Sequence, residues 1–305
     1  MSQTHFVAPS VLQTWYQFAG QSLAVPVAEA ELVADLFAPE MRRYCEFVQG
    51  PAGGPLGLMV RGEGPNFSER VQHLLRAWQM PAAGLAHHTA LAHLFEHKRA
   101  FFKLEWQQAL PGGPIEHLAA FYFRRRPALK KMLEQLRQDG VQLEILDQVA
   151  ELARLLHKDS IHFVAAALRP GRAIRHKLYF SQYATPEDSG LILQRLTQAL
   201  TWFGVDPENL TEAHRALMPE DRATTFFVSL SFEADRLIAS LKIDYPDVSP
   251  EQAAGWLPVV ERSAVEREVR RLCTMVGVET LAYLGVRLPR SGPITLKYYA
   301  DLSGV

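Results

Sequence analysis

Five times along this chain two runs of alternating apolar residues stand on either side of a turn, and that recurrence narrows the possible folds more than any other feature. The pairs are RRYCEFV with PLGLMVRGE, RAFFKLEW with IEHLAAFYFRR, IHFVAAAL with AIRHKLYFS, TTFFVSLSF with LIASLKIDY, and LAYLGVRL with ITLKYYADL. Turn formers join them: the PAGG at 51–54, the PGGP at 111–114, Pro170 with Gly171, residues 233–235, and the PRSGP at 289–293. Alternation rich in β-branched and aromatic side chains predicts strands. The pairs recur roughly every 60 residues, the scale of one supersecondary unit.

Between the pairs the period turns helical. FSERVQHLLRAW, with Ser68 as its N-cap, follows the first pair. ALKKMLEQLRQ, with Pro127 as its first helical residue, and LEILDQVAELARLLH follow the second. TPEDSGLILQRLTQALTWFG follows the third, and SPEQAAGWL and ERSAVEREVRRLCTMVG follow the fourth. Thr185 with Pro186, and Ser249 with Pro250, each fit a cap followed by a proline in the first turn. VLQTWYQFAGQSL and AEAELVADLF add two helices ahead of the first pair. Adjacent hairpins pair antiparallel, and a ten-stranded sheet curls or closes, since closure removes both edges. The expectation is an α+β fold: a closed ten-stranded antiparallel β-barrel of five α-β-β-α repeats inside a ring of helices. Large barrels of this length often form one domain, so 1–305 is read as a single domain.

Alternate residues of a strand point to opposite sides. In the sixth strand Ile174, His176, Leu178 and Phe180 oppose Arg175, Lys177, Tyr179 and Ser181. In the eighth, Leu241 and Ile243 oppose Ser240, Lys242 and Asp244. In the tenth, Ile294, Leu296 and Tyr298 oppose Thr295, Lys297 and Tyr299. Amphipathic helices cover the apolar face. The other face then looks into the barrel and offers Lys, Arg, Tyr and Ser where a small barrel would be filled with apolar side chains. The competing reading puts these charges on a solvent-exposed sheet face. The recurrence of Lys with Tyr two residues later, at Lys177/Tyr179 and Lys297/Tyr299, favours the lumen. Cations crowded there repel one another unless an anion joins them, and a diphosphate takes several charge-assisted hydrogen bonds from Lys and Arg.

Composition excludes some classes. The formal net charge is −1, so no global excess points to nucleic acid or an anionic membrane. Two cysteines, Cys45 and Cys273, suggest a reduced, cytoplasmic protein rather than a disulfide scaffold. MSQTHFVAP lacks the pattern of a signal peptide, and no apolar run is long enough to span a bilayer. Of the 305 residues 48% are hydrophobic, ample for a sizeable core. His88, His93 and His97 fall in HTALAHLFEH, read here as a solvated helix face, since neither HExxH nor a third ligand accompanies them. RGEG at 61–64 is neither a P-loop nor a dinucleotide fingerprint, and RRRP at 124–127 reads as a solvated strand end. No DDxxD-type motif calls for Mg²⁺-held diphosphate as in the all-helical isoprenyl synthases.

Across nearly its whole length the chain resembles the ABBA aromatic prenyltransferases, named for repeated α-β-β-α units. The resemblance is carried by CEFVQG with GLMVRGE, HKLYFSQY, SLKIDYPD and the terminal YLGVRLPRSGPITLKYYADL. Among subgroups the pattern is most similar to the cyanobactin-type peptide prenyltransferases, which place a Glu in the first strand and an Arg near the end of the second, as Glu46 and Arg61 stand here. The resemblance implies transfer of an isoprenyl group, dimethylallyl or geranyl, from its diphosphate to an electron-rich acceptor, an indole or phenol side chain of a peptide or a related small aromatic natural product. It implies that Arg61, Lys177, Lys242 and Lys297 hold the diphosphate and that Tyr179 and Tyr299 shield the allylic cation. It implies that Glu46 is the carboxylate near the acceptor. In the fourth strand, where the family often carries a Lys, the candidates are Arg124, Tyr122 and His117, with Arg124 counted in the diphosphate site. Lys103 in the third strand has the right parity. No tightly bound cofactor is implied, though Mg²⁺ accompanies the diphosphate in some members. The expected partners are a diphosphate donor and an aromatic or peptide acceptor, met by a monomer without nucleic acid or membrane.

The chemistry suits these residue types. Ionising an allylic diphosphate separates charge, so fixed cations must hold the leaving group. Water must be kept from the carbocation, which a lumen does, and aromatic faces stabilise it. A carboxylate can orient the acceptor and assist proton loss. The alternative from another class is a non-catalytic barrel that binds a lipid or polyanion; such a binder gains nothing from Glu46.

Overall fold

The computed structural model describes residues 32–33, 35–37, 45–49, 56–108, 115–124, 127–218, 223–257 and 259–301. Ten strands follow the hairpin pattern: β1 Cys45–Gln49, β2 Leu56–Gly62, β3 Ala100–Gln108, β4 Ile115–Arg124, β5 Phe163–Leu168, β6 Arg175–Ala184, β7 Thr224–Phe232, β8 Leu237–Val248, β9 Leu281–Pro289 and β10 Thr295–Asp301. Every neighbouring pair is antiparallel, and β1 pairs with both β2 and β10, so the strands form a closed ring. A bulge between Leu230 and Phe232 shifts the register of β7 against β8.

Helices fill the connections: α1 Pro65–Ala77, α2 Ala82–Leu94, α3 Leu129–Gln138, α4 Leu143–Leu155, α5 Ser189–Phe203, α6 Glu208–Leu217, α7 Pro250–Ala254 and α8 Val259–Val276. The core lies between the ring and these helices, not inside the ring. Leu178 and Phe180 of β6, Val228 and Leu230 of β7, Leu241 and Ile243 of β8, and Leu284 and Val286 of β9 all belong to it. They meet Leu74 and Leu75 of α1, Val149 and Leu152 of α4, Leu196 and Leu200 of α5, and Val269 and Leu272 of α8. Residues 32, 33 and 35–37 are helical, and Phe37 packs against Phe67 and Phe102 with ring centroids 5.9 and 5.5 Å away. The helix expected over VLQTWYQFAGQSL lies outside the described residues, as does the side chain of Cys45.

Several helix starts differ from expectation. Ser68 lies inside α1, whose N-cap is Gly64 with φ 87°, and its hydroxyl meets His97 Nδ1 at 3.1 Å. A proline at the first helical position and a left-handed glycine before it fix that start better than a hydroxyl one turn later. Pro127 precedes the cap residue Ala128 of α3. Thr185 and Pro186 form a turn ahead of α5, in which Asp188 Oδ1 accepts from Thr185 N at 2.7 Å and Asp188 becomes the cap residue. Ser249 is a cap as expected: it accepts from Gln252 N at 3.2 Å, and the Gln252 side chain returns to Ser249 N at 3.0 Å. α6 falls on ENLTEAHRAL, where no helix was predicted.

The histidines of α2 are not a solvated face. His88 is buried edge-on against Phe121, with ring centroids 4.9 Å apart, and burial and then His87 lower its pKa to about 4. Only His93 of the three is exposed. No helix among the described residues is long and apolar enough to cross a membrane.

Candidate active site in the barrel lumen

The faces of the strands that turn from the helices carry the polar residues, and they converge in two tiers. The upper tier is a cavity of about 270 Å³. Glu46, Asp244, Tyr283 and Tyr299 line it from β1, β8, β9 and β10. Met59, Arg61, Phe101, Tyr122 and Arg124 line it from β2, β3 and β4. Phe163, Tyr179 and Phe227 complete the wall, with His162 just before β5. Its aromatic rings form a belt: Phe163 lies 5.8 Å from Phe101, 5.8 Å from Tyr179 and 5.6 Å from Phe227, and Phe227 lies 6.1 Å from Tyr283.

The lower tier holds the lysines. Two residues further along the same strand faces stand Lys103 below Phe101, Lys177 below Tyr179, Lys242 below Asp244 and Lys297 below Tyr299. The sequence expectation put Arg61, Lys177, Lys242 and Lys297 in one cavity. The ring brings all four to one lumen, but only Arg61 lines the cavity; the three lysines sit beneath it. Tyrosines separate the tiers. Lys177 Nζ lies 4.7 Å from the Tyr179 ring centre, Lys103 Nζ 5.9 Å from Tyr122 and Lys242 Nζ 4.8 Å from Tyr299. Lys242 also donates to the Tyr299 hydroxyl at 2.8 Å. Burial holds the Tyr179 and Tyr299 phenols far above their usual range, so both stay neutral.

The lysines were expected to be uncompensated without a bound anion. Two carboxylates correct that. Glu105 accepts from Lys103 at 2.6 Å and also meets Lys297, while Asp244 meets Lys242. Both acids were visible as Lys-x-Glu and Lys-x-Asp on the lumenal parity of β3 and β8. Compensation is incomplete. Burial would raise Glu105, but Lys103 and Lys297 hold it far below the carboxylate range. Burial would likewise lower Lys103, which Glu105 holds up. Lys297 loses that contest: burial outweighs Glu105 and its pKa falls to about 7. Burial, then Lys242, drives Lys177 well below its ordinary value. Two glycines make room for the charges. A Cβ on Gly285 would collide with Lys242, and one on Gly57 with the Leu104 carbonyl and the Glu105 side chain.

Glu46 is 1% exposed and pairs across strands with Met59 and Asp301. Burial first, then Asp301 and Asp244, push its pKa up to about 8. Of the three candidates in β4, Tyr122 and Arg124 face the lumen. His117 is on the other face, its ring centroid 4.4 Å from that of Trp78. Arg124 is exposed at the rim, 5.9 Å from the Phe163 ring centre. Sequence reasoning passed over Phe101, Phe163, Phe227 and Tyr283, although period-two counting places each on the lumenal face. Among the described residues no group of three or more His, Cys, Asp or Glu side chains could hold a metal ion.

No protein-family model matches the chain, and no curated protein does. Solved structures share its fold. It superposes on 5-dimethylallyl tryptophan synthase from Streptomyces coelicolor, in complex with DMASPP and Trp, with a TM-score of 0.63 and 14% identity over 98% of this chain and 96% of that one. For a 6-dimethylallyl tryptophan synthase the TM-score is 0.66 at 16% identity, over 98% and 97%. AnaPT from Neosartorya fischeri gives 0.60 at 11% identity, over 95% and 91%. These are aromatic prenyltransferases of the ABBA type, and the likeness to them is one of fold.

Proposed function

We propose that the chain transfers a dimethylallyl or geranyl group from its diphosphate to an electron-rich aromatic ring held in the upper cavity. The observation that carries this reading is the layering of the lumen: a cationic floor, a tyrosine layer, then an aromatic cavity with two buried carboxylates, Glu46 and Asp244, at its wall. Lys177, Lys242, Lys297 and Arg61 hold the diphosphate, with Lys103 beside them and Arg124 at the rim. The allylic chain lies among Tyr179, Tyr299, Tyr122 and Tyr283, facing the acceptor. The carbon–oxygen bond of the donor breaks with its electron pair going to the diphosphate, where the fixed ammonium groups meet the growing charge. Neutral phenol rings stabilise the cation and the closed wall keeps water away. The acceptor ring attacks to form the new bond to carbon, and Glu46 orients the acceptor and takes the proton that the ring releases. A carboxyl with its pKa pushed to about 8 is a better proton acceptor, once ionised, than an ordinary one.

Aromatic side chains of a peptide, of the kind cyanobactin-type enzymes modify, and free indoles or phenols are the acceptor classes this reading admits. The lumen's own acids already engage three of its lysines; if Mg²⁺ entered with the donor, the diphosphate oxygens would bind it. Incubation with dimethylallyl and geranyl diphosphate and a panel of free indoles, phenols and aromatic peptides, read by mass spectrometry, tests it. A product heavier by one isoprenyl unit and released diphosphate are expected. Tight donor binding without any transfer across the panel would instead support a non-catalytic anion- or lipid-binding barrel.

A further inference from the structure

A tyrosine layer lies between the lysines and the cavity above them. Tyr179 and Tyr299 are 7% and 8% exposed, and the lysines do not line that cavity. Yet the lysines are not sealed in. The Lys297 side chain is 21% exposed, and Lys177 is half-buried. On the same strand faces exposure grows further down. Arg175, two residues below Lys177, has a side chain 33% exposed. Thr295, two below Lys297, is exposed, and so is Arg287, the cross-strand partner of both Thr295 and Lys242. Solvent therefore meets the floor from beneath, at the end of the ring where the hairpin turns lie. Small side chains leave room there: Ala167 pairs with Arg175, and Ser231 with Lys177. Arginines gather at this end along the arc from β5 to β9. Arg169 follows β5, Arg236 stands in the turn between β7 and β8, and Arg287 lies near the end of β9. Glu233 meets Arg236 at 2.7 Å and Arg175 at 3.7 Å. Burial first, then Arg169 and Arg287, lower the Arg175 pKa, and Glu233 does not offset them. Asp235 and Glu116, the other acids at this end, are exposed.

We propose that the lower mouth, between the turns at 169–174, 233–236 and 289–294, is the anion port of the lumen: the donor reaches the lysines through it and released diphosphate leaves by it, while the acceptor takes the upper mouth. This rests on the prenyl-transfer reading above. A diphosphate coming from above would have to give up its water among aromatic rings, pass the buried carboxylates Glu46 and Asp244, and cross the tyrosine layer. Coming from below, only the allylic chain passes the tyrosines, and the charged end stays with arginines and lysines throughout. Cations around a mouth also steer an anion toward it from solution. With separate mouths, an acceptor too large for the lumen can stay seated above while diphosphate departs below.

The test closes one mouth at a time. In the full chain with both native cysteines changed to alanine, one new thiol is placed at an exposed position of lumenal parity: Thr295→Cys at the lower mouth or Tyr183→Cys at the upper rim. Each protein is measured before and after coupling to a maleimide-linked polyethylene glycol. The readout is the rate at which radiolabelled dimethylallyl thiolodiphosphate binds. Coupling at Thr295→Cys should slow association by roughly tenfold or more, and coupling at Tyr183→Cys should change it by less than about twofold. The reverse pattern, equal slowing at both, or no slowing at Thr295→Cys would overturn the port. If Thr295→Cys does not fold, Arg169→Cys takes its place under the same criteria. Steering gives a second readout. Arg169→Gln combined with Arg287→Gln should slow association several-fold at low ionic strength, with the difference shrinking as salt is added. Equal rates at low salt would count against the port as well. The wild-type measurement is scored separately. Failure of the thiolodiphosphate to bind wild type would refute the prenyl-transfer reading itself, whereas binding by way of the upper mouth refutes only the port.

Discussion

The two faces of β6 lie one residue apart and obey different rules. His176, Leu178 and Phe180 turn to the helices, where every group is packed or neutral. Lys177 and Tyr179 turn to the lumen, where four lysines, Lys103, Lys177, Lys242 and Lys297, have only Glu105 and Asp244 set between them. The outer face is settled by folding. The inner face is left electrically unfinished, and in the proposed reaction the diphosphate would complete it. Stability should therefore reside outside and activity inside, and substitutions can separate them.

The sharpest contrast sets Phe180→Ala against Lys177→Met. Phe180 is fully buried in the outer core, so truncating it should cost about 3–5 kcal/mol, read as a large fall in denaturation midpoint. Lys177 is half-buried with its ammonium set among other cations, so an apolar side chain of similar length should leave stability unchanged or raise it by about 1–2 kcal/mol. The same Lys177→Met protein should lose most of its affinity for a dimethylallyl diphosphate analogue. A destabilised Lys177→Met protein would break the distinction between the faces.

Glu46→Gln comes next. The amide keeps the shape but cannot take a proton, so turnover should drop by roughly 10²-fold or more, about 2.7 kcal/mol of barrier, while the melting temperature barely moves. Near-normal turnover by the folded variant would remove Glu46 from the chemistry. A fall in stability with turnover intact would make it structural.

Titration separates the faces more gently. On the outer side burial holds His88, His176 and His214 down to about 4, so the unfolded chain binds more protons than the folded one between about 4 and 6.5. Stability should fall as pH drops through that window, by up to about 1.4 kcal/mol per pH unit for each histidine. Glu46 opposes them, because its raised pKa makes the folded state the better proton binder from about 4.5 to 8, but it is one group against three. On the inner side Lys297, lowered to about 7, makes the unfolded chain the better proton binder from there up to about 10.5, so stability should climb with pH. Inorganic diphosphate, by holding Lys297 charged, should flatten the alkaline climb and leave the acid limb alone. Thermal melts across pH with and without diphosphate would show it, and equal flattening of both limbs would contradict it.

The smallest effect belongs to Gly285→Ala. The nearest atoms to the new methyl group are the flexible end of Lys242 and the Asp244 carboxylate, so stability should change by less than about 1 kcal/mol. Donor affinity should nonetheless weaken several-fold as Lys242 is pushed from its place; unchanged affinity would mean that its position is not critical.

Much of this was legible in the sequence because a strand writes both of its faces in alternate letters. The hairpins, their order and the lumenal parity of Arg61, Lys177, Lys242 and Lys297 follow from counting by two. Helix starts were less legible, because Ser68, Pro127 and Thr185 each satisfy a local rule that a neighbour satisfies better in three dimensions. Which tier a residue joins depends on the stagger between strands, so Arg61 at the cavity and Lys297 beneath it could not be told apart. The role of Glu105 was hidden for a different reason: its partner Lys297 lies 192 residues away in the chain.

The one-residue interleaving of β6 also bears on how such a protein can diversify. Adjacent codons in every strand answer to separate demands, one to the helical layer and the next to the lumen. A substitution at an inward position can alter what the barrel accepts without disturbing the interface that holds it together. The scaffold can thus be re-lined piecemeal, each change judged on chemistry alone. Structures that superpose over 98% of this chain at 14% identity are what such a division of labour would leave behind.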